Sequence, residues 1–476
     1  VTASRPNVVV IVQDSVRYDR TTLGGHRRDT TPSLARLAER EDARTFEHAT
    51  AHARYTLPSS ASMLTGTAPS THDVGFGRTT LDSSTPTVAE AFRDAGYETS
   101  LVTNNYFVSS DTNLDRGFET YTQLPNSPLG ILKTVGVEST LRWLTQLRRH
   151  SAGFDLDKHR HSGAYLMHSL VEDELDRLAG GDDPFFLYAH FNQPHRPYYP
   201  PLAWFEKYAD AFEMSTRDAG DFSMDLHRNL VEKVAKGCPF TDDEWRVLSA
   251  LYDAGIEYTD TFMGELFEQV SASTDETVFV VTADHGEHLG ERGALGHKYV
   301  LDDALLNVPL LTVGLDVPES TELVQHADVM RTLLDTAGAR SGFVDGVDLR
   351  AQRPNAAVSE DVARSLDPIY EFDSEFDASQ FFPGADDGLP ARTSLRTETH
   401  RYVRGDDGTQ VLYELPDEST NVADVFPDVT ADLRGQTEAW LDDRADDRTR
   451  HGADDEELPE ATKDHLRNMG YLEEEL

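Results

Sequence analysis

Apolar and polar positions alternate along this chain in two periods, and together they predict a layered α/β fold. Asn7-Val-Val-Val-Ile-Val12 is a short continuous run of β-branched residues, the signature of a strand buried on both faces. Similar runs, PFFLYAHFNQP (184–194), ETVFVVTADHG (276–286) and LLNVPLLTVG (305–314), read as further strands. Between them lie helical patterns: TTPSLARLAER (30–40) as a capped helix, AEAFRDAGYETSLVTNN (89–105) as helix, glycine turn and strand, a long helix from about Asp243 to Val270, and HADVMRTLLDTAGA (326–339). Strands alternating with helices predict an α/β domain around a large mixed, mainly parallel sheet.

The texture changes after about Gly346. Short strand candidates at 356–360, 392–405 and 409–416 are joined by acidic loops and followed by a helix at 430–443 and an acidic tail. The expected division is a catalytic α/β domain over 1–345 and a smaller C-terminal α+β subdomain over 346–476. The stretch 366–390, rich in Asp, Ser, Phe and Pro, reads as an ordered loop because of its aromatics. No internal repeat is present.

Charge changes the picture more than length does. Asp and Glu number 85 against 43 Lys and Arg, a net charge of −42, and only seven of the basic residues are lysines. Self-repulsion of this size is relieved by molar salt. The composition resembles that of proteins from organisms that keep molar salt in the cytoplasm, and a cytoplasmic location in such an organism is the expectation. The same acidity argues against nucleic acid and anionic membranes as partners. No apolar run is long enough to span a bilayer, and VTASRPNVVVIV lacks a charged leader, so no membrane insertion is expected. The lone Cys238 excludes an internal disulfide.

Four clusters carry candidate chemistry. Asp14 follows the first strand, where α/β enzymes place ligand-binding groups, although alone it reads better as an ordinary helix N-cap. Tyr55-Thr-Leu-Pro-Ser-Ser-Ala-Ser-Met-Leu-Thr-Gly66 reads as a proline-started helix with Thr56 at its N-terminus. Backbone N–H groups there favour an anion, and a metal could hold the hydroxyl as an alkoxide. Thr282-Ala-Asp-His-Gly-Glu-His-Leu-Gly290 sets Asp284 and His285 side by side after a buried strand, within reach of one divalent ion. His297 and Lys298 follow closely enough to loop back over it. Phe191-Asn-Gln-Pro-His-Arg-Pro-Tyr-Tyr-Pro200 holds His195, in what reads alone as a stiff surface loop.

Taken in order, these segments resemble the sulfatases of the alkaline phosphatase superfamily. PNVVVIVQDSVRYD, TTPSLARLAER, YTLPSSASMLTG, PHRPYYPP, TADHGEHLGERG, NVPLL, HADVMRTLLDTAG, LRTETHRYV…LYELPDESTNVAD and the closing HLRNMGYL extend the resemblance over nearly the whole chain. It implies an alkaline-phosphatase-like sandwich with a small C-terminal domain. It also implies one divalent ion (Ca, Mg, Zn or Mn) held by Asp14, Asp284, His285 and Thr56, with anion contacts from His195, His297 and Lys298, and a small anionic ester as substrate.

Two departures bear on mechanism. Sulfatases of this type carry Cys or Ser where Thr56 stands and Arg where Ser60 stands, and the first is oxidised to formylglycine. Thr56 bears a methyl group and cannot give the aldehyde, so no formylglycine is expected. Ser15 stands where many sulfatases place another metal-binding Asp. The remaining acid–Thr–Asp–His set resembles the single-metal site of phosphoethanolamine transferases. The expectation is therefore an ester hydrolase working through a covalent Thr56 intermediate and leaning to phosphate. A phosphotransferase and a degenerate anion-binding family member are the competing readings.

Overall fold

The computed structural model describes residues 5–448, apart from 77, 275, 363, 366–371, 374–376, 378 and 380–387, together with 459, 460, 462 and 463. Most of the 366–390 loop, most of the acidic tail and the closing HLRNMGYL lie outside the described residues.

Seven strands form the central sheet: β1 (Asn7–Asp14), β2 (Ala43–Thr45), β3 (Glu98–Thr103), β4 (Thr120–Gln123), β5 (Phe185–Pro194), β6 (Thr277–Ala283) and β7 (Leu310–Val313). Their order is β2-β7-β6-β1-β5-β3-β4. β1 lies parallel to both β5 and β6, and β3 parallel to β5 and β4, while β7 runs antiparallel to β6 and β2. The sheet is mixed and mainly parallel. Side chains of β1 divide strictly by pleat: Val8, Val10 and Val12 enter one apolar core, Val9 and Ile11 the other. Helices cover both faces, which is why β1 needs no polar alternation.

On the first face lie α1 (Thr56–Thr65), α2 (Val88–Asp94) and α3 (His326–Ala337). On the second lie α4 (Ala164–Ala179) and the C-terminal half of the long helix α5 (Asp242–Ser273), whose Tyr258, Phe262, Leu266 and Val270 pack beneath the sheet. Among the described residues, no helix is long and apolar enough to cross a membrane.

The expected strand at 305–314 is broken. Asn307–Val308 pairs with His48–Thr50 in a small separate sheet, and Leu310–Val313 joins the main one. Pro309 sits between them, and it has no N–H for a ladder. The expected strand at 392–405 is a hairpin, Arg392–Arg396 with His400–Gly405. With Ala357–Asp361 and Gln410–Glu414 it makes a four-stranded antiparallel sheet, onto which the helix Pro427–Arg448 packs through Leu433.

This small sheet is bonded to the segment between the strand His48–Thr50 and α1. The Glu360 N–H donates to His52 O at 2.9 Å, and the Ser359 hydroxyl to Ala51 O at 2.6 Å. Asp361 holds the buried Arg54 at 2.7 Å as well as Arg392.

Candidate active site

The carboxyl ends of β1, β5 and β6 meet at one point because the three strands are parallel neighbours. β1 delivers Asp14 there, and the turn after β6 delivers Asp284 and His285. All three are fully buried, and their ligating atoms lie within 4.8 Å of one another. The N-terminus of α1 points into the same place. Thr56 Oγ1 lies 3.2 Å from His285 Nε2 and 3.4 Å from Asp14 Oδ2. Every residue of α1 is buried, so Thr56 is fixed by packing on all sides.

His285 Nδ1 lies 2.8 Å from the carbonyl of Gly286, which can only accept, so the proton is on Nδ1 and Nε2 presents a lone pair. That lone pair faces Thr56, Asp14 at 3.6 Å and Asp284 at 3.7 Å. Burial keeps His285 below the ordinary imidazole range despite Asp14 nearby, and drives the Asp284 carboxyl up to about 7. Asp284 Oδ2 has no donor at hydrogen-bonding distance. Two buried carboxylates and a neutral imidazole lone pair, with a hydroxyl beside them, could hold one divalent cation.

His195 and His297 close the site. The His297 ring centre lies 4.6 Å from that of His285 and 5.1 Å from that of His195. Burial, with neighbouring positive and imidazole groups, holds both far below the usual range. Lys298 is half-buried, and its charge helps to keep His297 unprotonated. Asp14, Thr56, Asp284, His285, His195 and His297 are thus brought together, Lys298 follows His297 in the chain, and the proline-rich loop proves to be buried at His195.

Several contributors were not singled out in the sequence. Asn105 donates to Asp14 Oδ2 at 2.8 Å and to Asn192 Oδ1 at 3.0 Å, linking the ends of β1, β3 and β5. His190, wholly buried, lies 3.8 Å from Asp284 Oδ2. Arg196 is buried beside Glu287, whose carboxyl burial raises to about 8. Arg54 holds the His297 carbonyl at 2.5 Å. Arg196, Asn192 and Glu287 lie inside the quoted clusters but were given no role there, and His190 and Arg54 sit in unremarkable sequence contexts. A signal existed only for Asn105, a polar residue at a strand's carboxyl end.

Ser15 takes the place expected for a further acid. Its hydroxyl donates to Asp14 Oδ1 at 2.7 Å, and its φ is 65°. A cavity of about 270 Å³ opens beside this machinery, lined by His195, Asn192 and Gln193 and by the apolar Leu124, Ile131 and Trp143.

A family model described as Sulfatase matches residues 6–339. The choline-sulfatase of Rhizobium meliloti (strain 1021) is 27% identical over 386 residues, 73% of this chain and 71% of that protein. The low-salt glycan biosynthesis sulfotransferase of Haloferax volcanii is 27% identical over 227 residues, 44% of this chain and about half (49%) of that protein. Among solved structures, the phosphonate monoester hydrolase of Silicibacter pomeroyi superposes with a TM-score of 0.68 at 24% identity, covering 92% of this chain and 96% of that one. That likeness is one of fold.

Proposed function

The chain belongs to the sulfatase family of ester hydrolases, and from that premise we propose that it is a single-metal phosphoesterase whose nucleophile is Thr56. The observation that carries the reading is Thr56 Oγ1 at 3.2 Å from His285 Nε2 and 3.4 Å from Asp14, beside a carboxylate–imidazole cluster that could hold a cation. Asp14, Asp284, His285 and Thr56 would hold the ion. It would polarise the ester oxygens and favour the ionised threonine hydroxyl.

In the first step the Thr56 hydroxyl passes its proton to solvent water, its oxygen bonds to phosphorus and the bond from phosphorus to the leaving oxygen breaks. His195 and His297 are neutral in the free protein. An anionic ester beside them favours their protonation, and one of them then supplies the proton to the leaving oxygen. Lys298 and Arg196 balance the equatorial oxygens. In the second step water attacks phosphorus and gives its proton to the histidine that the first step left neutral, the Thr56 oxygen leaves, and phosphate is released.

Thr56 lacks a second hydroxyl on its attacking carbon, so a threonine sulfate has no elimination route, whereas a phosphothreonine is open to in-line attack by water. This is what leans the reading to phosphate. The named activity of the Haloferax relative supports a second reading, transfer of the group to an acceptor alcohol in place of water. The division at 345/346 and a molar-salt habitat belong to the same proposal.

Mass spectrometry of Thr56 after brief exposure to an aryl phosphate tests it. The expected result is a phosphate adduct on Thr56 that needs added divalent metal and decays with turnover. Metal-dependent turnover with no adduct on Thr56, under quench conditions that trap one turnover, would remove the covalent step.

A further inference from the structure

Two buried polar atoms with no hydrogen-bond partner face each other beside the candidate cation site. One is Oδ2 of Asp284 and the other Nε2 of His190, 3.8 Å apart, and both side chains are fully buried. The other oxygen of Asp284 is anchored: Oδ1 accepts from the Ser15 N–H at 3.1 Å and from the His285 N–H at 2.9 Å. Oδ2 has no such anchor. It lies 3.7 Å from Nε2 of His285 and 3.8 Å from Nε2 of His190, so two imidazoles border one carboxylate oxygen.

His190 stands on β5 opposite Val12 of β1, and the pleat turns it to the same face as Phe186 and Tyr188, under α1. It is an odd filler for an apolar core, because neither ring nitrogen is hydrogen-bonded. His52 and His72 are as deeply buried, and each has both ring nitrogens engaged. A buried imidazole with no bonded partner costs stability and calls for a reason. The charged group that His190 meets is Asp284. A lone pair on Nε2 would confront the lone pairs of Oδ2, so the carboxylate selects the tautomer with the proton on Nε2. Where water is excluded, an N–H dipole acts on a charge beyond hydrogen-bonding length.

Resting on the single-metal reading above, we propose that His190 is a positioning residue for Asp284. Ser15 and the His285 backbone fix Oδ1, while the His190 Nε2–H restrains Oδ2, so that the carboxylate keeps one orientation for the cation. His190 acts through Asp284 and not as a further ligand: the atoms that lie within 4.8 Å of one another belong to Asp14, Asp284 and His285. Polar neighbours that orient a ligand in this way change metal affinity by about tenfold or more.

The test is calorimetric titration of the chelator-treated full chain with Mn²⁺, in molar KCl to screen the acidic surface. Asp284→Asn gives the baseline for binding elsewhere, and circular dichroism confirms that each variant is folded. His190→Gln sets its amide nitrogen near the place of Nε2 and should bind Mn²⁺ within about threefold of wild type. His190→Asn sets its amide near Nδ1, and His190→Leu has no donor; both should bind about tenfold more weakly. Should the leucine variant fail to fold, the glutamine and asparagine pair carries the comparison. Wild-type affinity in His190→Asn would overturn the proposal, and so would a loss in His190→Gln equal to that in His190→Asn. Tighter binding by His190→Leu than by His190→Gln would make the residue a packing element, since leucine suits an apolar core better. Affinity is read without turnover. The expected order in a protein that turns over no ester refutes the phosphoesterase reading and leaves His190 in its role, whereas wild type binding no better than Asp284→Asn refutes both.

Discussion

The Ser15 backbone N–H donates to Oδ1 of Asp284 at 3.1 Å, across a sequence separation of 269. It reaches there because Ser15 adopts φ 65°, a left-handed conformation that costs a non-glycine residue about 1 kcal/mol. The same residue turns its hydroxyl to Asp14 Oδ1. One strained serine thus orients both carboxylates.

Ser15→Gly separates strain from orientation. Glycine adopts φ 65° freely, so the variant should be more stable by up to about 1 kcal/mol. It should bind divalent metal about tenfold more weakly, because the hydroxyl that fixes Asp14 is gone. Calorimetric titration of metal beside thermal melting reads both, and unchanged metal affinity would show that the serine orients nothing.

Thr56→Ala should abolish turnover while metal still binds through Asp14, Asp284 and His285. Thr56→Ser should keep part of the activity, since the hydroxyl and its position at the helix N-terminus survive. Phosphate esters should turn over repeatedly and sulfate esters at most once. Steady multiple turnover of an aryl sulfate by the unmodified protein is the result that this mechanism could not absorb.

Asp361 of the C-terminal sheet holds Arg54, and Arg54 holds the His297 carbonyl. Asp361→Ala would leave Arg54 and Arg392 buried without this carboxylate, at a cost of about 3–5 kcal/mol. Turnover should fall as well, through displacement of His297. Denaturant unfolding would settle the first point, and a loss below about 1 kcal/mol would mean that the pair does not tie the C-terminal sheet to the segment before α1.

Acid should unfold the protein through buried histidines remote from the metal ligands. Burial lowers His52, His72 and His168 to about 3 each. A folded-state value below the unfolded 6.5 contributes stability that is fully present above pH 6.5 and is lost as pH falls toward 3. Each such group adds a slope of about 1.4 kcal/mol per pH unit across that window. His72 accepts from the Val74 N–H at 3.1 Å and lies 3.0 Å from the Ser62 hydroxyl. His72→Asn keeps an acceptor and removes the titrating ring, so its acid transition should be shallower by about one proton. Equal pH slopes for the two proteins would refute the assignment.

Salt should stabilise. The net charge of −42 repels itself in dilute buffer, and about 1 M salt shortens the screening length to about 3 Å. Melting temperature and activity should rise together from millimolar to molar KCl. A flat profile would mean that the acidic surface is not an adaptation to salt.

The sequence alone determined the elements that one periodicity governs. Buried runs such as Asn7–Val12 and the long amphipathic helix from Asp243 to Val270 declare themselves because burial on both faces, or along one stripe, writes directly into residue order. It also offered Asp14, Thr56, Asp284 and His285 as candidates at element ends, and the family resemblance, not their local pattern, grouped them around one ion. Tertiary structure decided what lies between elements. Pro309 split one expected strand between two sheets because ladder partners compete across space. Asn105, Arg54 and Asp361 entered the site through partners at sequence separations of 91, 243 and 307. Their hydrogen bonds depend on which strands become neighbours, and no local pattern of polar and apolar residues encodes that order.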